Sequence, residues 1–299
     1  MNDFLQATIN GIAQGSVYAL LALGYVMIYK ATQVISFAQP ALMVLGGLAS
    51  YHFIVVFGLP FWIGLLLGMI VGALIGMVVE RTALRPMLGK PVFTLAIITI
   101  GVDIILRVIA NRYIGVTPRI IPFPGGDKVV AFGNFSLPAH SVALIAITIL
   151  IVVLMSLFFQ FSKTGLAMRA TALDQETSMA QGINVGLIFG MAWAIAGALA
   201  AVAGTFLASG TASGLEQTTW VIALKALPAI IIGGLDSLKG AVVGGILIGV
   251  VEALTATYQP GVAPWLGGNF ALVAPYALMF FVLLVKPYGL FGTKEVERV

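Results

Sequence analysis

No cysteine occurs in this sequence, which excludes disulfides, iron–sulfur clusters and thiol catalysis. Histidine is almost as scarce: His52 and His140 stand far apart and share no metal-ligand spacing, so neither a metal nor another cofactor is expected. Charge is the third shortage. Asp, Glu, Lys and Arg make up 9% of the 299 residues, where soluble domains carry roughly 25%. Hydrophobic residues make up 60%, and mean hydropathy is +1.09. A water-soluble fold of this size would have too few polar side chains to cover itself, so the expected solvent is lipid. The net charge of +4 then belongs to loops between spans and gives no reason to expect nucleic-acid binding.

The apolar runs are continuous rather than alternating, which favours helices over a barrel. They place spans at 5–29, 38–57, 60–79, 92–110, 138–160, 184–208, 218–234, 240–258 and 269–286. The run 218–234 is short and holds Lys225 and Pro228, so it reads as a broken or re-entrant helix. The expected fold is all-α: one polytopic transmembrane helical bundle over 1–299, with about eight or nine spans. Met1-Asn2-Asp3 carries no basic stretch, so the first run is expected to be a retained span and no signal peptide.

Lys and Arg in short loops set orientation. With 161–183 in the cytoplasm, Lys30, Arg81, Arg85, Lys90, Lys163, Arg169, Lys239, Lys286, Lys294 and Arg298 fall on the cytoplasmic side. Arg112, Arg119 and Lys128 fall outside, and Arg107 and Lys225 lie within spans. The N-terminus is then external and the C-terminus cytoplasmic. The external stretch 111–137, with Pro118, Pro122, Pro124 and the turn Gly125-Gly126-Asp127, reads as an ordered irregular loop. It is either a plain connector or a docking surface for an external partner.

Two Gly/Pro-interrupted breaks precede apolar helices. Ile35-Ser36-Phe37-Ala38-Gln39-Pro40 leads into Gly46-Gly47, and the run from Gly233 to Gly240 leads into Gly244-Gly245. Paired breaks of this kind point to an inverted repeat and to a site near the bilayer midplane.

Charges inside the spans are costly, so they are expected to pair. Asp103 and Arg107 stand four apart on one helix and can do so locally, as a clamp between helices or as the lining of a pathway. Glu252 has no partner on its own helix; Lys225 is the cation the sequence offers, for a structural pair or a gate. Asn10, Gln14, Ser16, Tyr18 and Tyr25 on the first span are expected to face other helices, in interhelical hydrogen bonds or against a passing zwitterion. Ridges at Gly64, Gly68, Gly72 and Gly76, and at Gly240, Gly244, Gly245 and Gly249, read as close-packing seams, one of them available to a partner subunit.

The polar segment 163–184 predicts an amphipathic helix over about 165–182, capped by Thr164 and ended by Gly182. Leu166, Ala170, Leu173 and Ala180 form its apolar stripe. It is either a solvated connector or a helix laid in a groove of a cytoplasmic partner. No Ser/His/Asp or paired-carboxylate arrangement supports an enzyme. Gly89-Lys90 is followed by Pro91 and lacks the upstream glycine of a nucleotide-binding loop, so ATP is not bound by that route.

The run Gly165…Arg169-Ala170…Asp174…Ala180-Gln181-Gly182-Ile183-Asn184 resembles the ATPase-coupling segment of branched-chain amino acid ABC transporter permeases of the LivH type. The run from Ile231 to Gly245, followed by Gly249 and Glu252, resembles a second hallmark of that family. Asn10-Gly11…Gly15-Ser16-Val17-Tyr18-Ala19-Leu20, Ser36-Phe37-Ala38-Gln39, Glu80-Arg81…Arg85-Pro86 and Pro287-Tyr288-Gly289-Leu290-Phe291-Gly292 match it in order along the chain. Gln39-Pro40 stands where a His/Gln-Gly pair is commoner, and Asp236 and Lys239 replace smaller residues.

The resemblance implies half of a translocation pathway for leucine, isoleucine and valine in a bacterial inner membrane. It also implies a second, LivM-like permease, two cytoplasmic ATPase subunits, a periplasmic amino-acid-binding protein, and no cofactor in this chain. Gly165, Arg169, Ala170, Asp174 and Gly182 would couple to the ATPase. Asn10, Gln14, Gln39, Asp103, Arg107, Lys225 and Glu252 are the candidates for pathway or gate. The rival readings are an importer of urea or short amides, and a proton-coupled secondary transporter or channel, which would need an isolated titratable group within the spans.

Overall fold

The computed structural model describes residues 2–87, 90–126, 128–132, 135–209 and 214–293. Of the residues named above, Met1, Gly89, Asp127, Lys294 and Arg298 lie outside the described residues. The helices run in the order α1 (Asn2–Thr32), α2 (Gln39–Tyr51), α3 (Phe61–Val79), α4 (Val92–Ile114), α5 (Ala139–Phe161), α6 (Lys163–Leu173) and α7 (Gln175–Ala180). They continue with α8 (Val185–Ala208), α9 (Trp220–Leu224), α10 (Ala226–Gly233), α11 (Leu238–Val262) and α12 (Ala274–Val285). Single π-turns extend α2 over His52–Val56 and α3 over Glu80–Leu84. Among the described residues, seven helical segments are long and apolar enough to cross a membrane, and 220–233 and 274–285 are shorter apolar ones.

α1 and α8 are the pillars of the bundle. The apolar window of α1 is 89% buried and that of α8 is 67%, against 22% for α4 and 17% for α5. The last two turn Ile104, Ile105, Val108, Leu150 and Leu154 outward, a surface only lipid would cover. The pillars make their contacts through glycine, because only a residue without Cβ lets two backbones meet. Gly11 and Gly15 lie against Val250 and Ile246 of α11, and Gly245 lies against Ala19 of α1. Gly72 and Gly76 of α3 meet Gly197 and Trp193 of α8, and Gly46 and Gly47 of α2 meet Ala201 and Gly204.

Both glycine ridges are therefore filled from within the chain. The expectation that one of them stays available to a partner subunit is overturned by α1, α2, α8 and α10, which already occupy them. A Cβ on Gly197 would stand 2.1 Å from the carbonyl oxygen of Gly72. Gly197→Leu is thus expected to cost about 3 kcal/mol or more through overpacking, and thermal unfolding of the detergent-solubilised chain would register it.

The contacts sort the chain into two ends. At one end Gln6 holds Ser136, Arg119 bridges Leu215, and Gln217 donates to the carbonyl of Gly115. At the other, Lys30, Arg169, Asp236 and Tyr288 line one cavity, and Arg85 reaches Gly186. The first end departs from the irregular loop expected over 111–137. Strands β1 (Val129–Phe132) and β2 (Phe135–Pro138) form an antiparallel hairpin with Val129 opposite Pro138. Gln6 clamps it with both amide atoms: Nε2 donates to the Ser136 carbonyl at 2.7 Å, and Oε1 accepts from the Ser136 N–H at 3.0 Å.

Candidate functional site

Both breaks expected from glycine and proline are present, the first built from side chains that replace missing backbone partners and the second from a side-chain cap together with a backbone strap. After α1 the chain turns back through 33–38, and α2 starts inside the bundle. Its N-terminus is level with Asp103, halfway along α4, and with Ala196, halfway along α8. A helix that begins in the apolar interior carries N–H groups with neither helix nor water to bond.

α4 supplies the answer from one polar stripe. Thr99 Oγ1 accepts from Phe37 N–H at 2.9 Å, and Asp103 Oδ1 accepts from Ala41 N–H at 3.1 Å. The negative carboxylate also complements the positive end of the α2 dipole. Its other oxygen takes Arg107 Nε at 2.6 Å, and the Arg107 guanidinium lies 3.9 Å from the Trp220 ring centre. The expected pair is therefore present, and it has a third member the sequence did not reveal, the start of α2. Gln39, fully buried, donates Nε2 to the Ala196 carbonyl at 3.2 Å.

A second polar chain crosses from α1 to α11. Gln14 Nε2 donates to the Tyr18 hydroxyl at 3.0 Å, and that hydroxyl donates to Glu252 Oε2 at 2.6 Å. The other carboxylate oxygen of Glu252 pairs with Lys225 Nζ, at the junction between α9 and α10. The 218–234 run is thus broken where Lys225 turns inward. Asn10 stands apart from this chain. It is exposed and accepts from Gln6 Nε2 at 3.1 Å.

Removing only one charge would strand the other in the interior. Glu252→Leu is expected to cost about 3–5 kcal/mol, whereas adding Lys225→Leu should restore most of it. Melting temperatures of the single and double variants in detergent measure the difference.

At the end that carries most of the Lys and Arg, the segment 163–180 differs from the single helix expected over 165–182. It is two helices, α6 and α7, separated at Asp174. The cap is Ser162 rather than Thr164: its Oγ accepts from Gly165 N–H at 2.8 Å. A Cβ on Gly165 would stand 2.4 Å from the Phe158 carbonyl oxygen, so glycine is what lets α6 fold tightly against the end of α5. Asp174 then starts α7, with Oδ1 accepting from Thr177 N–H at 3.0 Å and Oδ2 from its hydroxyl at 2.6 Å. Ala170 accepts the Asp174 N–H as α6 ends. Gly182 closes the segment with φ of +83°, a conformation that strains side-chain-bearing residues.

α6 buries Gly165, Met168 and Thr171 and turns Leu166, Arg169 and Leu173 outward. The outward row is thus two leucines and an arginine. The segment is tied to the pillar behind it. Asn184 caps α8 through Leu187 N–H at 3.0 Å. Arg85 grips both oxygens of the buried Glu80 at 3.0 Å and the Gly186 carbonyl at 2.6 Å, which joins the end of α3 to the first turn of α8.

The second break brings together two motifs far apart in sequence. α10 ends at Gly234 with φ of +107°, and Ser237 caps α11 through Gly240 N–H at 3.0 Å. The carbonyls left open at the end of α10 are met by the chain after α12: Leu290 N–H donates to Ile232 at 2.7 Å and Phe291 N–H to Gly233 at 3.0 Å. Asp236 holds the hydroxyl and N–H of Thr293. Gly289 lies against this turn too closely for a Cβ, and a Cβ on Gly234 would run into the Gly292 backbone.

A sequence profile of the family described as "Branched-chain amino acid transport system / permease component" matches residues 7–283. The high-affinity branched-chain amino acid transport system permease protein LivH of Escherichia coli (strain K12) is 31% identical over 312 residues, which cover 99% of this chain and 98% of that one. The corresponding permease protein BraD of Pseudomonas aeruginosa is 30% identical over 311 residues, again 99% and 98%. Among solved structures, PsaBC from Streptococcus pneumoniae in complex with Fab superposes with a TM-score of 0.51 and 14% identity, covering 95% of this chain and 92% of that one. That likeness concerns the fold alone.

Proposed function

Because this chain belongs to the branched-chain amino acid transport permease family, a family of multi-pass transport subunits of the inner membrane, we propose that it forms half of the pathway by which an ATP-driven importer takes up leucine, isoleucine and valine. The match over 7–283 is the observation that carries this reading. In it, a second permease supplies the other half of the pathway, two cytoplasmic ATPase subunits supply the energy, and an external binding protein delivers the amino acid. The N-terminus and the β-hairpin face outward; Lys30, α6, α7 and the stretch after α12 face the cytoplasm, as the distribution of Lys and Arg favours.

The geometry supports a division of labour. α6 and α7 dock on the ATPase through Leu166, Arg169 and Leu173, with Gly165, Ala170, Asp174 and Gly182 shaping the segment that presents them. Closure of the ATPases moves the segment, and the joints at Asn184 and Arg85 carry the movement into α8 and α3. Gln14, Gln39, Asp103, Arg107, Lys225 and Glu252 hold the helices on either side of the pathway in register, and Asn10 lies at its outer end. Asp103 and Glu252, within the spans, each have a cation bonded to them. Neither is the isolated titratable group that proton-coupled transport would need.

Co-expression with the ATPase subunits of a branched-chain amino acid importer tests the docking. The wild-type chain should co-purify with them. Gly182→Val, which strains the turn after α7, should lower the recovered ATPase several-fold while the chain still inserts. Equal recovery would remove the docking role.

A further inference from the structure

Where α1 ends, a cavity of about 610 Å³ opens between α6, the turn after α10 and the stretch following α12. Its charged lining is mixed. Lys30, Arg169 and Asp236 all line the cavity, and Lys30 is within electrostatic range of both of the others. Among the described residues neither Lys30 nor Arg169 has a carboxylate within 4.0 Å, while Asp236 keeps acceptor capacity beyond its two bonds to Thr293. Leu173, Ile231 and Leu235 make the lining apolar between these charges. Lys30 is half-buried, so its charge is costly there; Asp236 offsets that cost and Arg169 adds to it.

A phosphate would answer the cations and leave the aliphatic lining and Asp236 unused. A molecule bearing a carboxylate, an ammonium group and a branched aliphatic side chain uses all three. We propose that this cavity binds a free aliphatic α-amino acid, its carboxylate on Lys30 and Arg169, its ammonium group on Asp236, and its side chain against Leu173, Ile231 and Leu235. Arg169 and Leu173 also belong to the docking face of α6, so an occupant takes up part of that face and resists its engagement by the ATPase. Imported amino acid accumulating on this side then slows further import. Binding stands on the cavity alone; the regulatory consequence rests on the importer function proposed above.

Two measurements separate the parts. Equilibrium dialysis of the purified chain with radiolabelled L-leucine should show saturable binding. Lys30→Met and Asp236→Asn, each melting like the wild type, should weaken it about 10-fold or more, as loss of one charged partner does. 4-Methylpentanoate, which lacks the ammonium group, and isopentylamine, which lacks the carboxylate, should not compete. Absence of saturable binding, or equal binding by both variants, overturns the proposal.

In proteoliposomes holding the complete transporter, preloaded internal leucine should slow uptake of external valine several-fold for the wild type and leave both variants unaffected. Equal slowing of wild type and variants overturns the regulatory part. Saturable leucine binding together with no uptake even into empty vesicles would count against the importer function and leave the binding site standing.

Discussion

Asp103→Ala is expected to unfold the middle of the bundle rather than trim one contact. The change leaves the partly buried Arg107 without its carboxylate and takes the acceptor from the Ala41 N–H at the start of α2. Stranding one member of a buried pair costs about 3–5 kcal/mol, and loss of a helix cap adds roughly 1 kcal/mol. Together these amount to much of what keeps an ordinary domain folded. The melting temperature should fall sharply and the yield of inserted chain with it.

Arg107→Leu alone should also be severe, because it leaves the carboxylate uncompensated. The double variant Asp103→Asn with Arg107→Leu should recover much of the loss, since asparagine can still accept from Ala41. A double variant no better than Asp103→Ala would show that the ion pair itself, rather than the helix start, governs stability here.

The second large effect concerns coupling. Arg169→Glu reverses the charge of the outward face of α6, and Asp174→Lys removes the cap that starts α7. Both residues are exposed on the segment outside the spans. The protein should insert and melt within about 1 kcal/mol of wild type, the scale of one lost cap. Uptake by the assembled transporter should nevertheless fall at least 10-fold. Asp174→Asn keeps the capping oxygen and drops the charge, so it separates two roles. Near-normal uptake assigns Asp174 to the shape of the segment; loss of uptake assigns it to a charged contact with the ATPase.

Much of this was legible from residues alone. A charge inside an apolar run must find a partner, and the i, i+4 spacing of Asp103 and Arg107 and the scarcity of other candidates for Glu252 named both pairs. Continuous apolar runs located the long helices, and the runs around Gly233 and before Gln39 located the breaks. What escaped was long-range. That α2 begins at the depth of Ala196 depends on how α4 and α8 stand around it, which no local pattern states. The strap of Leu290 and Phe291 over Ile232 and Gly233 joins two motifs more than 50 residues apart in sequence.

The division at Asp174 had a local signal that helix propensity concealed. Asp174 followed three residues later by Thr177 is a capping pattern, yet Ala170, Leu173 and Met179 on either side favour a continuous helix. Ser162 three residues before Gly165 is a similar case. The hairpin over 129–138 was hidden by the prolines and glycines just before it, which read as loop; its register is fixed from outside by Gln6.

The central claim is that this chain forms half of the passage and that separate ATPases drive it. Proteoliposomes containing the chain, its partner permease and both ATPases, with the binding protein outside and nucleotide inside, measure that directly. With ATP, radiolabelled leucine should accumulate against its gradient and be displaced by isoleucine and valine but not by urea or acetamide. With a non-hydrolysable analogue, accumulation should cease. Uphill uptake that continues without hydrolysis, or that follows a proton gradient instead, would contradict the account.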